Sequence, residues 1–167
     1  KTQKETYLPA LATGQEIGSF CLSESHSGSD AAALKTTAKK VDGGYILKGS
    51  KMWISSAGFA KTYIVMARTG GPGAKGVSAF IVRDGMEGFT YGKKEEKMGW
   101  NAQPTRAINF DNVRVPVNNR LGEEDKGFSY LGHQLAWERL IIAIRAAQCI
   151  ESMMEETIEY VKNRQVF

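Results

Sequence analysis

Residues 35–54 read Lys35-Thr36-Thr37-Ala38-Lys39-Lys40-Val41, then Asp42-Gly43-Gly44, then Tyr45-Ile46-Leu47-Lys48-Gly49-Ser50-Lys51-Met52-Trp53-Ile54. Two runs that carry apolar residues flank a turn signal, because Asp and Gly tolerate the backbone angles that reverse a chain. The same grammar extends from Gly18 to about Val117, where Gly70-Gly71-Pro72-Gly73, Asp84-Gly85 and Glu87-Gly88 separate further short apolar runs. It predicts antiparallel strands near 16–22, 35–41, 44–54, 61–68, 77–83, 89–97 and 105–115. Their regular spacing fits an antiparallel β-barrel or sandwich of hairpins.

On either side of this region the composition turns helical. Residues 4–11 suit a short helix that closes on Thr13-Gly14, where glycine permits a left-handed ending. Between Gly132 and Phe167 neither glycine nor proline interrupts the chain, and Asp125 is a plausible N-cap. One helix of thirty-odd residues, or two nearly continuous ones, is expected there. Its apolar residues, Leu131, Leu135, Leu140, Ile142, Ile150, Met154 and Ile158 among them, wrap more than one face. A small barrel cannot cover so much surface, so further helices outside this sequence are expected, in a longer protein or an obligate complex. The expected fold class is α+β: residues 1–13 as the end of a helical region, 14–122 as the barrel, and 123–167 as a long helix opening a helical-bundle domain.

The overall numbers exclude several classes. With 42% hydrophobic and 24% charged residues among 167, the chain can bury a core, so disorder is not expected. The net charge of +4 arises from 22 Lys and Arg spread along the chain, without the clustered footprint of a nucleic-acid binder. No run approaches the roughly 18 apolar residues of a membrane span, and Lys1-Thr2-Gln3-Lys4-Glu5 lacks the apolar core of a secretory signal. Cys21 and Cys149 lie far apart without metal-ligand spacing, which suggests neither a disulfide framework nor a metal site and fits a reducing compartment.

The most informative run is Cys21-Leu22-Ser23-Glu24-Ser25-His26-Ser27-Gly28-Ser29-Asp30. It follows an expected strand and offers hydroxyls, acids and a glycine, which is what a loop needs to present donors to a phosphate-bearing ligand, although ordinary turns share this composition. Read with its neighbours it becomes specific. Ser-Glu, four residues, then Ser-Asp resembles the signature of acyl-CoA dehydrogenases. Gly49-Ser50-Lys51-Met52-Trp53-Ile54-Ser55 resembles that family's second flavin-contacting strand. Phe110-Asp111-Asn112-Val113-Arg114-Val115-Pro116, Leu121-Gly122 and Lys126-Gly127-Phe128 resemble its exit into a long helix, and Arg164-Gln165-Val166-Phe167 resembles the element that reaches the FAD of a neighbouring subunit. The sequence departs from the family pattern where Ser25-His26 replaces Pro-Gly and where Val166 replaces Thr.

The resemblance implies FAD as cofactor, with Phe20, Leu22, Ser23, Trp53, Ile54 and Ser55 around the isoalloxazine ring. It also implies Gly28 and Ser29 near the pyrophosphate, Ser29 also serving the CoA arm, and Arg164 with Phe167 reaching a partner's cofactor. Taken without it, Trp53 would be a core residue of a strand and Arg164 a solvated helix end. His26 reads as an exposed loop residue and His133 as a helix-surface residue.

For the base, helical spacing alone supplies a candidate. Leu131, Leu135, Glu138 and Ile142 fall four, three and four apart, so an acid sits within an apolar stripe. The plainer alternative is a partly exposed Glu that shares polarity with Gln134 and Arg145. The segment Ala136-Trp137-Glu138-Arg139-Leu140 resembles the catalytic helix of isovaleryl- and long-chain acyl-CoA dehydrogenases. That likeness implies Glu138 as general base, Arg139 as a contact for the CoA arm and Leu135 beside the substrate. Gly99-Trp100-Asn101-Ala102-Gln103-Pro104-Thr105-Arg106 instead resembles isobutyryl-CoA dehydrogenases, so chain length stays open. The resemblance further implies electron-transfer flavoprotein as electron acceptor, a homodimer or homotetramer, and a mitochondrial matrix or bacterial cytoplasmic location. An acyl-CoA oxidase and a non-catalytic β-barrel interaction module are the competing expectations.

Overall fold

The computed structural model describes residues 2–167; Lys1, part of the expected helical region, lies outside the described residues. Helix α1 spans Thr2–Ala12, and the Thr13 N–H donates to Pro9 O as the helix ends. Eight strands follow: β1 Gly18–Cys21, β2 Thr37–Val41, β3 Gly44–Ser55, β4 Thr62–Arg68, β5 Val77–Arg83, β6 Phe89–Lys94, β7 Thr105–Pro116 and β8 Arg120–Leu121. A single helix α2 then runs Gly127–Asn163. Two compact units result, one ending at Phe128 and one comprising Ser129–Phe167. Among the described residues no helix is long and apolar enough to cross a membrane.

All seven expected strands are present, with two corrections. The short β8 was not foreseen, because two residues give no periodicity to read. The sheet is also mixed rather than antiparallel. Its order is β6-β7-β3-β2-β4-β5-β8, and β1 pairs with β4 off that path. β1 runs parallel to β4, from Gly18 opposite Thr62 to Cys21 opposite Val65, and β2 touches the same strand in parallel at Thr37 and Arg68. One strand line therefore flanks β4, and residues 22–36 leave it as a long excursion before the chain returns to pair with β3 through the Asp42-Gly43 turn.

The inward positions of the strands build the core. Tyr45 and Leu47 of β3, Tyr63 and Val65 of β4, Phe80 and Val82 of β5, and Ile108, Phe110, Val113 and Val115 of β7 are buried together. Each such side chain contributes about 1.5–3 kcal/mol through removal from water. Phe89 of β6 stands edge-on to Tyr63 and Tyr91 and stacks on Phe110, ring arrangements that add to simple burial.

Asp125 does not cap α2. With φ of 63° it lies two residues before the helix, its N–H donates to Ser78 Oγ at 2.7 Å, and its carboxylate accepts the Thr69 hydroxyl at 2.6 Å. The strand ends of the barrel claim this side chain. α2 itself carries a groove of Ile150, Met153, Met154 and Ile158 along its surface.

Candidate functional site

The excursion after β1 is organised around one buried acid. The Glu24 carboxylate accepts the Lys35 N–H at 2.7 Å, the Thr36 N–H at 3.0 Å and the Lys51 ammonium at 2.8 Å, and Lys51 also donates to Leu22 O at 3.0 Å. The Lys51 side chain is 0% exposed and that of Glu24 4%. Burial pushes the Glu24 carboxyl up, but these donors more than reverse it and hold it below the ordinary carboxylate range. Ser27 closes the turn by exchanging main-chain hydrogen bonds with Glu24, and its hydroxyl donates to Asp30 O at 2.7 Å. His26 lies half-exposed, with Nε2 3.6 Å from Glu24 Oε2.

β3 is shaped to receive this loop. Its register against β7 shifts between Leu47 and Gly49 and again between Lys51 and Ile54. Gly49 has φ of 142°, and a Cβ there would sit 2.7 Å from Thr36 Oγ1, so only glycine lets the returning chain approach. Trp53, in the second bulge, has φ of 61° and is 60% exposed. A bulky residue in left-handed backbone is unusual and strained, and such strain collects at functional sites. The segments are joined at both ends: the Ser19 hydroxyl donates to Ser55 O at 2.6 Å, and the Met52 N–H donates to Ser23 O at 2.8 Å.

The sequence-expected residues therefore separate into groups. Phe20, Leu22, Ser23, Trp53 and Ser55 lie on segments running side by side, none of them in the core, with Phe20, Trp53 and Ser55 exposed. Trp53 is not a core strand residue, because the bulge turns it outward. Ile54 needs correction in the opposite sense: at 2% exposure its side chain belongs to the barrel core, which leaves only its main chain for a ligand. Gly28 and Ser29 are exposed, and a Cβ on Gly28 would meet open space, so the chain's own packing does not demand glycine there. On α2, Leu135 is half-buried and Glu138 and Arg139 are exposed. Arg164 and Phe167 lie just past the end of that helix, and the Arg164 N–H donates to Tyr160 O. His133 is exposed, its Nδ1 2.8 Å from Ser129 O.

Sequence reasoning missed Glu24 and Lys51 as a pair. Both stand inside the quoted runs, and Lys51 is in phase with the buried Tyr45 and Leu47, but a lysine in a strand reads as solvated until a buried partner for its charge is known. Cys21 adds nothing reactive, since burial pushes its thiol up to about 12. Chemically, an exposed indole beside hydroxyls and free main-chain edges is suited to seat a flat heteroaromatic ring, and the open space at Gly28 leaves room for a phosphate-bearing tail.

The middle-domain model of acyl-CoA dehydrogenases matches residues 19–113, and the model of that family's C-terminal domain matches residues 125–167. The chain belongs to the acyl-CoA dehydrogenase family. It is 42% identical over 165 residues to the mitochondrial isobutyryl-CoA dehydrogenase of Bos taurus, covering 99% of this chain and 40% of that protein. Among solved structures, butyryl-CoA dehydrogenase from Megasphaera elsdenii superposes with a TM-score of 0.91 at 42% identity, covering 99% of this chain and 44% of that one. The FAD complex of PigA superposes at 0.93 with 32% identity, covering 100% and 44%. An acyl-CoA dehydrogenase relative thus extends well beyond what this chain matches: the chain spans about two fifths of the bovine protein's length.

Proposed function

We propose that this chain supplies the ring-binding wall and the general base of an FAD-dependent acyl-CoA dehydrogenase, which turns an acyl-CoA thioester into the trans-2-enoyl-CoA. The observation that carries the reading is Trp53, a bulky aromatic held outward in strained backbone beside the Ser23 loop. Backbone strain at a bulky residue clusters at functional sites. The FAD complex of PigA and the names of the acyl-CoA dehydrogenase relatives support the same cofactor and chemistry.

In this reading Trp53 provides a flat apolar wall, Phe20 and Leu22 flank the ring, and the Ser23 and Ser55 hydroxyls offer donors where charge builds up on it. Ser29 and Gly28 face the pyrophosphate or the CoA arm. Bound FAD would supply the acceptor for the hydride that leaves the substrate's β-carbon. Glu138 takes the α-proton. It shares a helix face with Leu135 and Ile142, so apolar neighbours lie one turn away on both sides. Arg139 meets the CoA arm. Arg164 and Phe167 reach the cofactor of a second subunit, which requires a homodimer or a homotetramer, and electrons pass on to electron-transfer flavoprotein. Residues 14–122 form the flavin and acyl-CoA domain, residues 1–13 end a helical region and residues 123–167 open a helical one. A mitochondrial matrix or bacterial cytoplasmic setting suits the relatives' own.

The test is the visible spectrum of the full-length protein before and after anaerobic addition of isobutyryl-, isovaleryl- and long-chain acyl-CoA. Bleaching of the flavin by one of them is expected. Glu138→Gln should keep the flavin and slow bleaching by about 100-fold or more. Undiminished bleaching in that variant moves the base elsewhere, and rapid peroxide formation in air would make the protein an oxidase.

A further inference from the structure

Ser23 and Ser29 sit on the excursion between Cys21 and Thr37, outside the strand ladders, and in the flavin reading they face the same ligand at the height of Trp53 on β3. We infer that the buried Glu24–Lys51 ion pair is the positioning device that sets this height, an inference that rests on the flavin reading above. Lys51 lies two residues before Trp53 and reaches Leu22 O and Glu24 at the start of the excursion. The same carboxylate accepts the Lys35 N–H on Oε2 and the Thr36 N–H on Oε1, the oxygen that also takes Lys51, at the end of the excursion. One β3 side chain therefore gathers both ends of the loop.

An apolar contact could not do this, because burial is non-directional and permits sliding. A charge-assisted bond to a carboxylate that also accepts two main-chain N–H groups fixes direction as well as distance. Desolvating both charges offsets most of their attraction, so the pair contributes geometry more than stability. Glu24 and Lys51 are buried and are not offered to a ligand. They act through Ser23, Ser29 and Trp53.

The experiment compares the full-length protein with a double variant, Glu24→Gln with Lys51→Met, which leaves no unpaired buried charge. Amide exchange is read over residues 22–36 and at Met52 in the flavin-free form, and FAD affinity is read by titration. Cooperative melting should persist, exchange of the loop should rise about tenfold or more, and FAD should bind about 10- to 100-fold more weakly. Unchanged loop exchange, or unchanged FAD affinity, overturns the inference and makes the pair merely structural. If the double variant does not fold, Glu24→Asp, which keeps the charge but shortens its reach by one methylene, is read in the same two assays by the same criteria. If the unsubstituted full-length protein binds no FAD, the flavin reading fails, and the exchange measurement then decides the loop-fixing role without it.

Discussion

Trp53 shows how one residue type admits two environments that the sequence pattern alone does not separate. An aromatic in an apolar strand reads as core, and only the bulge between Lys51 and Ile54 turns it outward while Ile54 takes the inward place. Its left-handed backbone is a penalty that glycine would not bear. Trp53→Gly is therefore expected to leave the unfolding free energy from urea titration within about 1 kcal/mol of the original, since an exposed side chain loses little packing and relief of strain offsets the added chain entropy. FAD affinity should nevertheless fall, by titration of the flavin spectrum. A large loss of stability would mean that the indole is held by the fold rather than offered to a ligand.

The loop of residues 22–36 belongs to a different level of organisation, because its shape comes from β3 as much as from its own turns. Gly49 admits Thr36, and Lys51 admits Glu24. Gly28 is the contrasting case: nothing in the fold fills the space where its Cβ would stand. Gly28→Ala should melt with the parent protein while binding FAD more weakly, and thermal melting with parallel flavin titration separates the two effects. Equal FAD affinity would place the pyrophosphate elsewhere. The loop's composition suits a ligand-presenting turn, and the family resemblance implies FAD as that ligand. The clamp that holds it could not be read from composition, because a Lys and a Glu 27 residues apart meet only once the loop has folded onto β3.

Across the barrel, four carboxylates share one electrostatic logic. The Arg83 hydrogen bond lowers Glu16, the Lys61 hydrogen bond lowers Asp84 and the Tyr45 hydrogen bond lowers Glu124, while at Glu24 the effect of burial is overcome by its donors. A carboxyl whose folded-state affinity for protons is depressed contributes stability that is complete above its ordinary value of about 4 and is lost as pH falls through the folded-state value. The urea midpoint should hold level from pH 7 to about 5 and fall below about 4. Asp84→Asn, which removes one of the lowered groups, should flatten that fall, and a midpoint that rises on acidification would contradict the assignment.

Seven of the eight strands, most boundaries, the long helix and the residue types proposed for the site could be read along the chain, because turn chemistry and side-chain period depend on a few neighbours. The parallel pairing of β1 and β2 with β4, the outward turn of Trp53, the diversion of Asp125 from a helix cap to the strand ends, and the burial of Lys51 against Glu24 could not. Each depends on which distant segments compete for the same edge or the same hydrogen-bond partner, and that competition is settled only when the sheet closes.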